Sequence, residues 1–138
     1  YVSNGPGCTC NYDATIEIIR KVLEGNKPLF GLGLGYHLIA KAAGCTLERL
    51  QHPHRSSNQP VRREESNRSY ITVQNVYRAV KRSSIPADWE VFFTNLNDGA
   101  VDGIRHKTKP FVAANFNPEV CVGLTENVTP IDEFISRL

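Results

Sequence analysis

Lys27-Pro28-Leu29-Phe30-Gly31-Leu32-Gly33-Leu34-Gly35-Tyr36-His37 decides how this chain is read. A short apolar run opened by proline, then closely spaced glycines, then the apolar-periodic Leu38 to Ala43, predicts a buried strand, a sharp turn and a helix. A turn of this kind is an elbow that displays its apex over a helix N-terminus, with backbone N–H groups such as that of Leu34 beside it to hold an anion. The apex here is Gly33, which has no side chain and so can bind but cannot attack. Reading Gly31-x-Gly33-x-Gly35 as a dinucleotide fingerprint does not fit, because G-x-G-x-x-G needs its third glycine where Tyr36 stands.

Around this stretch the composition is that of one globular domain over 1–138, with 41% hydrophobic and 22% charged residues. A formal charge of +2 with dispersed lysines and arginines argues against nucleic acid as a partner. No apolar run approaches the roughly 18 residues of a membrane span, so a soluble, cytoplasmic protein is expected. The chain holds no Met and opens on Tyr1-Val2-Ser3, which reads as the end of a strand, so a piece of a longer protein is expected. Cys8, Cys10, Cys45 and Cys121 show no disulfide framework and no C-x-x-C, in keeping with a reducing compartment. His52 and His54 with these cysteines match no zinc spacing, and no metal or cofactor is expected.

In chain order, Ser3-Asn4-Gly5-Pro6-Gly7 is a βα loop able to present N–H groups to a carboxamide or carboxylate. Asp13 to Glu24 predicts a crossover helix burying Ala14, Ile18, Ile19, Val22 and Leu23, with Ile16 beside them. The elbow helix ends at Gly44, Cys45 to Leu50 is extended, and a solvated loop runs from His52 through Pro60. Tyr70 to Asn75 is a strand with Ile71 and Val73 on one face. Asn97-Asp98-Gly99 turns a hairpin between Glu90–Asn95 and Val101–Arg105, behind a packing residue, Trp89. Phe111 to Phe116 is the last core strand, with Asn117-Pro118-Glu119 hanging from the sheet edge where ligands bind. Thr129 caps a final helix burying Ile131, Phe134, Ile135 and Leu138. The rhythm implies an α/β fold: an open, mostly parallel sheet with flanking helices and a small antiparallel hairpin.

These motifs, from Val2 to about Phe134, resemble the class I (triad) glutamine amidotransferases, and most of all the glutaminase domain of carbamoyl phosphate synthetase. Ser3-Asn4-Gly5-Pro6-Gly7, Phe30-Gly31-x-Gly33-Leu34-Gly35, Asn58-Gln59-Pro60-Val61, Ile71-Thr72-x-Gln74-Asn75 and x-Pro118-Glu119 carry the likeness in the family's order. The resemblance implies oxyanion donors at Gly5, Gly7 and Leu34, and substrate contacts at His37 and Asn75. It also implies that the first strand and helix units of the fold precede Tyr1. Three departures stand out. Gly33 replaces the family's nucleophilic Cys, Asn117 replaces its His base, and Cys8-Thr9 stands where Asp-Pro continues the loop. Glu119 matches the carboxylate that orients the missing His, and Tyr77, in place of a Gly, predicts a glutamine pocket that is filled or reshaped.

The resemblance, with these losses, implies a catalytically degenerate domain that docks on, or regulates, the large subunit or fused synthetase domain of an ammonia-using carbamoyl phosphate synthetase. A mitochondrial setting goes with an ammonia-dependent form. The alternative is surviving or altered glutamine hydrolysis, through Cys121 or a water held by Glu119. A third reading, compatible with the first, is a module whose loop and elbow N–H groups hold a small anion such as glutamine or glutamate.

Overall fold

A computed structural model describes residues 1–118 and 130–138. It contains helices α1 (Asp13–Glu24), α2 (Leu34–Ala42) and α3 (Pro130–Ile135). Its strands are β1 (Leu29–Leu32), β2 (Leu47–Arg63), β3 (Ser69–Val80), β4 (Trp89–Asn95), β5 (Val101–His106) and β6 (Phe111–Ala114). They form one sheet in the order β1-β6-β5-β3-β2-β4, and β4 pairs back onto β5.

The α/β class stands, but the sheet is not mostly parallel. Parallel pairing joins β1 to β6, with Leu29 opposite Phe111 and Leu32 opposite Ala114, and a single bridge joins Val2 to Gly31. The other described ladders are antiparallel. The connections decide this: residues 64–68 between β2 and β3, and 96–100 between β4 and β5, are too short for a crossover and can only make hairpins. The predicted hairpin is present, with Gly99 at φ 75° and its N–H donating to Asn95 O over 3.0 Å.

Every residue of β1 and of β6 is buried, as expected for strands covered on both faces. Leu29, Phe111 and Ala113 pack with Ile16, Ile19, Tyr36 and Ile39 of the two long helices. Phe30, Leu32 and Val112 pack with Phe92, Phe93 and Phe116 on the other side, where Phe134 of α3 closes the layer.

α1 has the predicted bounds, and its N–H-bonded C-cap is Gly25. Its buried side is centred on Ile16 and Ile19, while Ala14 and Ile18 face solvent, Ile18 at 63% exposure. The inward stripe follows i, i+3, with Val22 and Leu23 partly buried beside it. In α3, Ile135 and Leu138 are exposed rather than buried, and Glu133 takes the inward position. The predicted cap Thr129 lies outside the described residues.

The largest revision is at His52 to Pro60, which is not a solvated loop but the middle of β2, with register shifts either side of His54 and Ser56. His54 is buried, its Nδ1 2.9 Å from Gln74 Oε1 and its Nε2 2.8 Å from Asp98 Oδ2. Gln74 Nε2 and Asn95 Nδ2 both donate to Asp102 Oδ2, over 2.7 and 3.0 Å. One residue from each of β2, β3, β4 and β5 thus meets inside the ring that these strands close. In β3 it is therefore Thr72, Gln74 and Val76 that face inward, and Ile71 that is exposed. Ile71 and Val73 share a face as the alternation predicts, and that face is the outer one because the ring's interior is polar.

Candidate functional site

The elbow forms as its sequence demands. Gly33 is the N-cap of α2 with φ 53° and ψ −110°, a backbone region that side chains rarely adopt. Its N–H donates to Ala114 O over 2.9 Å, tying the apex to β6. Two residues on, a Cβ at Gly35 would overlap the carbonyl of Val2, whose N–H donates to Phe30 O over 2.8 Å. Gly35 lets the incoming chain cross directly over the helix start.

The space above Gly33 is filled. A Cβ built on Gly33 would overlap Asn4 Oδ1 and Cγ. Asn4 Oδ1 accepts from Leu34 N at 3.0 Å and from Gly5 N at 2.9 Å. Two of the three backbone donors that the resemblance implied for an oxyanion, Gly5 N and Leu34 N, are thus engaged by a carboxamide of the same chain. Tyr12 holds the loop from below, its hydroxyl donating to Pro6 O over 3.1 Å.

A hollow of about 290 Å³ opens beside the elbow. Its wall brings together Gly5, Gly7, Gly33, Leu34, His37, Asn75 and Asn117 of the sequence-predicted set. Glu119 lies outside the described residues, as does Cys121. A second hollow of about 330 Å³, reached past Tyr1, Ser3 and Leu32, shares Asn4, Gly33, Phe116 and Asn117 with the first, so the elbow stands between the two. Tyr77 lines the first hollow without filling it, and the Arg78 guanidinium sits 5.7 Å over the Tyr77 ring. The hollow is at the lower end of the roughly 300–1,000 Å³ usual for ligand sites.

His37 Nε2 donates to the Arg78 carbonyl over 3.0 Å, so the proton of the neutral ring sits on Nε2. Burial, outweighing this bond, lowers its pKa to about 4. The imidazole is uncharged at neutral pH and held away from acid–base work by the backbone. Asn117 N donates to Val73 O over 3.4 Å, which sets Asn117 against β3. An Asn carboxamide there cannot accept a proton at any useful pH.

Two wall residues escaped the sequence reading. Asn4 lay inside the quoted loop, but its side chain's role needed the distance to Leu34, thirty residues away. Asn115, buried, donates from Nδ2 to Arg78 O over 3.2 Å, and its place two residues before Asn117 on the same strand end was the available signal. Among the described residues no three His, Cys, Asp or Glu side chains cluster as metal ligands, and no helix is long and apolar enough to cross a membrane.

A family profile described as glutamine amidotransferase class-I matches residues 1–136. The carbamoyl phosphate synthase small chain of Symbiobacterium thermophilum is 36% identical over 136 residues, covering 98% of this chain and 38% of that one. The multifunctional protein CAD of Squalus acanthias is 38% identical over 137 residues, covering 98% of this chain and 6% of that one. The chain thus spans well under half the length of the curated relatives it matches. Among solved structures, a glutamine amidotransferase from Thermotoga maritima superimposes with a TM-score of 0.72 at 16% identity, over 99% of this chain and 61% of that one, a likeness of fold. With the elbow, the loop and the end of β6 arranged around one hollow, and the profile spanning all three, this chain belongs to the class I glutamine amidotransferases.

Proposed function

We propose that this domain does not hydrolyse glutamine and serves as a structural or regulatory partner of a carbamoyl phosphate synthetase that takes free ammonia. The observation that carries the reading is the elbow apex. Gly33 offers no nucleophile, and the volume above it and both neighbouring N–H donors are taken by Asn4. Asn117 at the base position removes the proton shuttle as well. In comparable triads, loss of the nucleophile alone removes on the order of 10⁶ in rate. Relatives that are carbamoyl phosphate synthase small chains or fused multifunctional proteins support a synthetase chain as the partner. The domain would work where that synthetase works, in the cytoplasm or, for an ammonia-dependent form, the mitochondrion.

The test is ammonia release from glutamine, by this chain alone and with a synthetase large subunit, against a Gly33→Cys, Asn117→His double variant. No turnover by the parent, with tight binding to the synthetase, is the expected result. Multiple turnovers by the parent would overturn the proposal. If alkylation of its thiols then stopped the reaction, a relocated cysteine would be responsible; if not, a carboxylate-held water would be. Turnover gained by the variant would show that the hollow still accepts glutamine once Asn4 rotates aside.

A further inference from the structure

Asn4 is followed by Gly5, and this is the single Asn-Gly pair in the sequence. Asn-Gly is the dipeptide in which a following backbone nitrogen most easily reaches the Asn carboxamide carbon, since glycine puts no side chain in the way. An ordinary folded loop suppresses that reaction by holding the nitrogen away from the carbon. This loop does the reverse. Gly5 N–H donates to Asn4 Oδ1 over 2.9 Å, so the carboxamide is folded back over the peptide nitrogen that follows it. The carboxamide oxygen is also gripped from outside its own loop by Leu34 N at 3.0 Å. That donor belongs to the first turn of α2, which is rooted in the core through Tyr36, Leu38 and Ile39. Asn4 and Gly5 are both exposed, so water reaches them.

We infer that Asn4 is a site of self-catalysed deamidation, in which the elbow's remaining oxyanion donor acts on a carboxamide of its own chain. In the first step the Gly5 N–H swings off Oδ1, gives its proton to solvent and bonds through nitrogen to Asn4 Cγ, and the charge that develops on Oδ1 is held by Leu34 N–H. The Cγ–Nδ2 bond then breaks, ammonia leaves with the returned proton, and a five-membered succinimide remains. One water opens the ring at either carbonyl to give aspartate or isoaspartate at position 4. The balance is one water consumed and one ammonia released per chain, with no oxidant, reductant or cofactor. The product carboxylate keeps an acceptor for Leu34 N–H and adds a negative charge at the mouth of both hollows. Deamidation here is a single stoichiometric event, and it proceeds whether or not the domain turns over glutamine.

The experiment follows intact mass, peptide mass and ammonia during incubation at pH 7.5 and 37 °C without glutamine, for the folded chain and for the same chain held unfolded in urea. The expected result is a gain of about 1 Da confined to the peptide holding Asn4, isoaspartate in the product, and ammonia that levels off at one equivalent. The folded chain should react about tenfold faster than the unfolded one, a modest share of what a single oxyanion donor contributes in enzymes. Gly5→Ala should slow the folded reaction at least about tenfold. A Cβ there meets only Leu34 Cδ2 at 3.4 Å, an ordinary contact, so the fold is kept. A folded rate equal to or below the unfolded rate would overturn the inference. So would an undiminished rate in Gly5→Ala, or aspartate without isoaspartate, since each removes the backbone nitrogen from the reaction.

Discussion

Asn4 Oδ1 occupies the place where a side chain on Gly33 would begin, so these two residues, twenty-nine positions apart, share one volume. The glycine is required twice over, by its positive φ and by its neighbour's carboxamide. The exchange is mutual, because Asn4 can accept from Leu34 N only while the apex is bare.

Gly33→Ala should therefore destabilise the domain by about 1–3 kcal/mol from backbone conformation alone, with an added cost from displacing Asn4. Asn4→Ala should cost about 1 kcal/mol for its lost hydrogen bonds. In the double variant the overlap is gone, so the two losses should fall short of additivity by at least about 0.5 kcal/mol. Urea unfolding of the four proteins measures this directly. Strict additivity would mean that Asn4 does not occupy the elbow in solution.

His37 should make stability depend on pH. Its folded pKa of about 4 lies below the ordinary histidine value, so between about pH 6.5 and 4 the unfolded chain binds the extra proton and stability falls as pH falls. The full contribution is present above about pH 6.5 and amounts to at most about 3 kcal/mol. His37→Gln should flatten that part of the stability curve while leaving the drop below pH 4.5, where Glu64 and Glu65, held low by Thr94 and by Arg63 and Arg105, regain their protons. Unfolding midpoints for both proteins at pH 4, 5, 6 and 7.5 check the difference.

Glu133 fastens α3 to the sheet. It is buried and accepts from Arg105 at 2.9 Å, Arg63 at 2.9 Å and Arg137 at 2.6 Å, while Arg63 and Arg105 lie 5.2 and 5.0 Å over the Phe92 ring. Glu133→Ala leaves three guanidinium groups short of a partner and should cost about 2–4 kcal/mol. Glu65→Ala, which removes a mostly exposed carboxylate from Arg63 and Arg105, should cost less than about 1 kcal/mol. Equal losses would show that the latch is a surface effect.

The thiols should separate by reactivity. The Cys10 thiol, then the Cys10 N–H at 3.4 Å, hold the Cys8 thiol below its ordinary range, and the same contact raises Cys10. Burial pushes Cys45 up to about 11. Among the three cysteines of the described residues, timed alkylation at pH 7.5 with peptide mapping should label Cys8 first, Cys10 next and Cys45 last. Labelling of Cys45 ahead of Cys8 would contradict this order.

The elbow, the bounds of α1 and the 97–99 hairpin were legible in sequence because each rests on local chemistry. A positive φ demands glycine, a helix stripe shows its period, and an Asp-Gly turn reverses a chain wherever it stands. His54, expected in a solvated loop, was misplaced for the opposite reason. Its place depends on a ring of four strands whose interior holds Gln74, Asn95 and Asp102, and no window of sequence contains that ring.

The sequence by itself determined that the apex has no nucleophile and that Asn117 supplies no base, since these are facts of side-chain identity. Only the tertiary structure decided what the bare apex holds. The loop after Val2 crosses the start of α2 close enough for Asn4 to accept from Leu34, and a backbone N–H left unpaired at a helix start takes the nearest acceptor that the fold brings within reach.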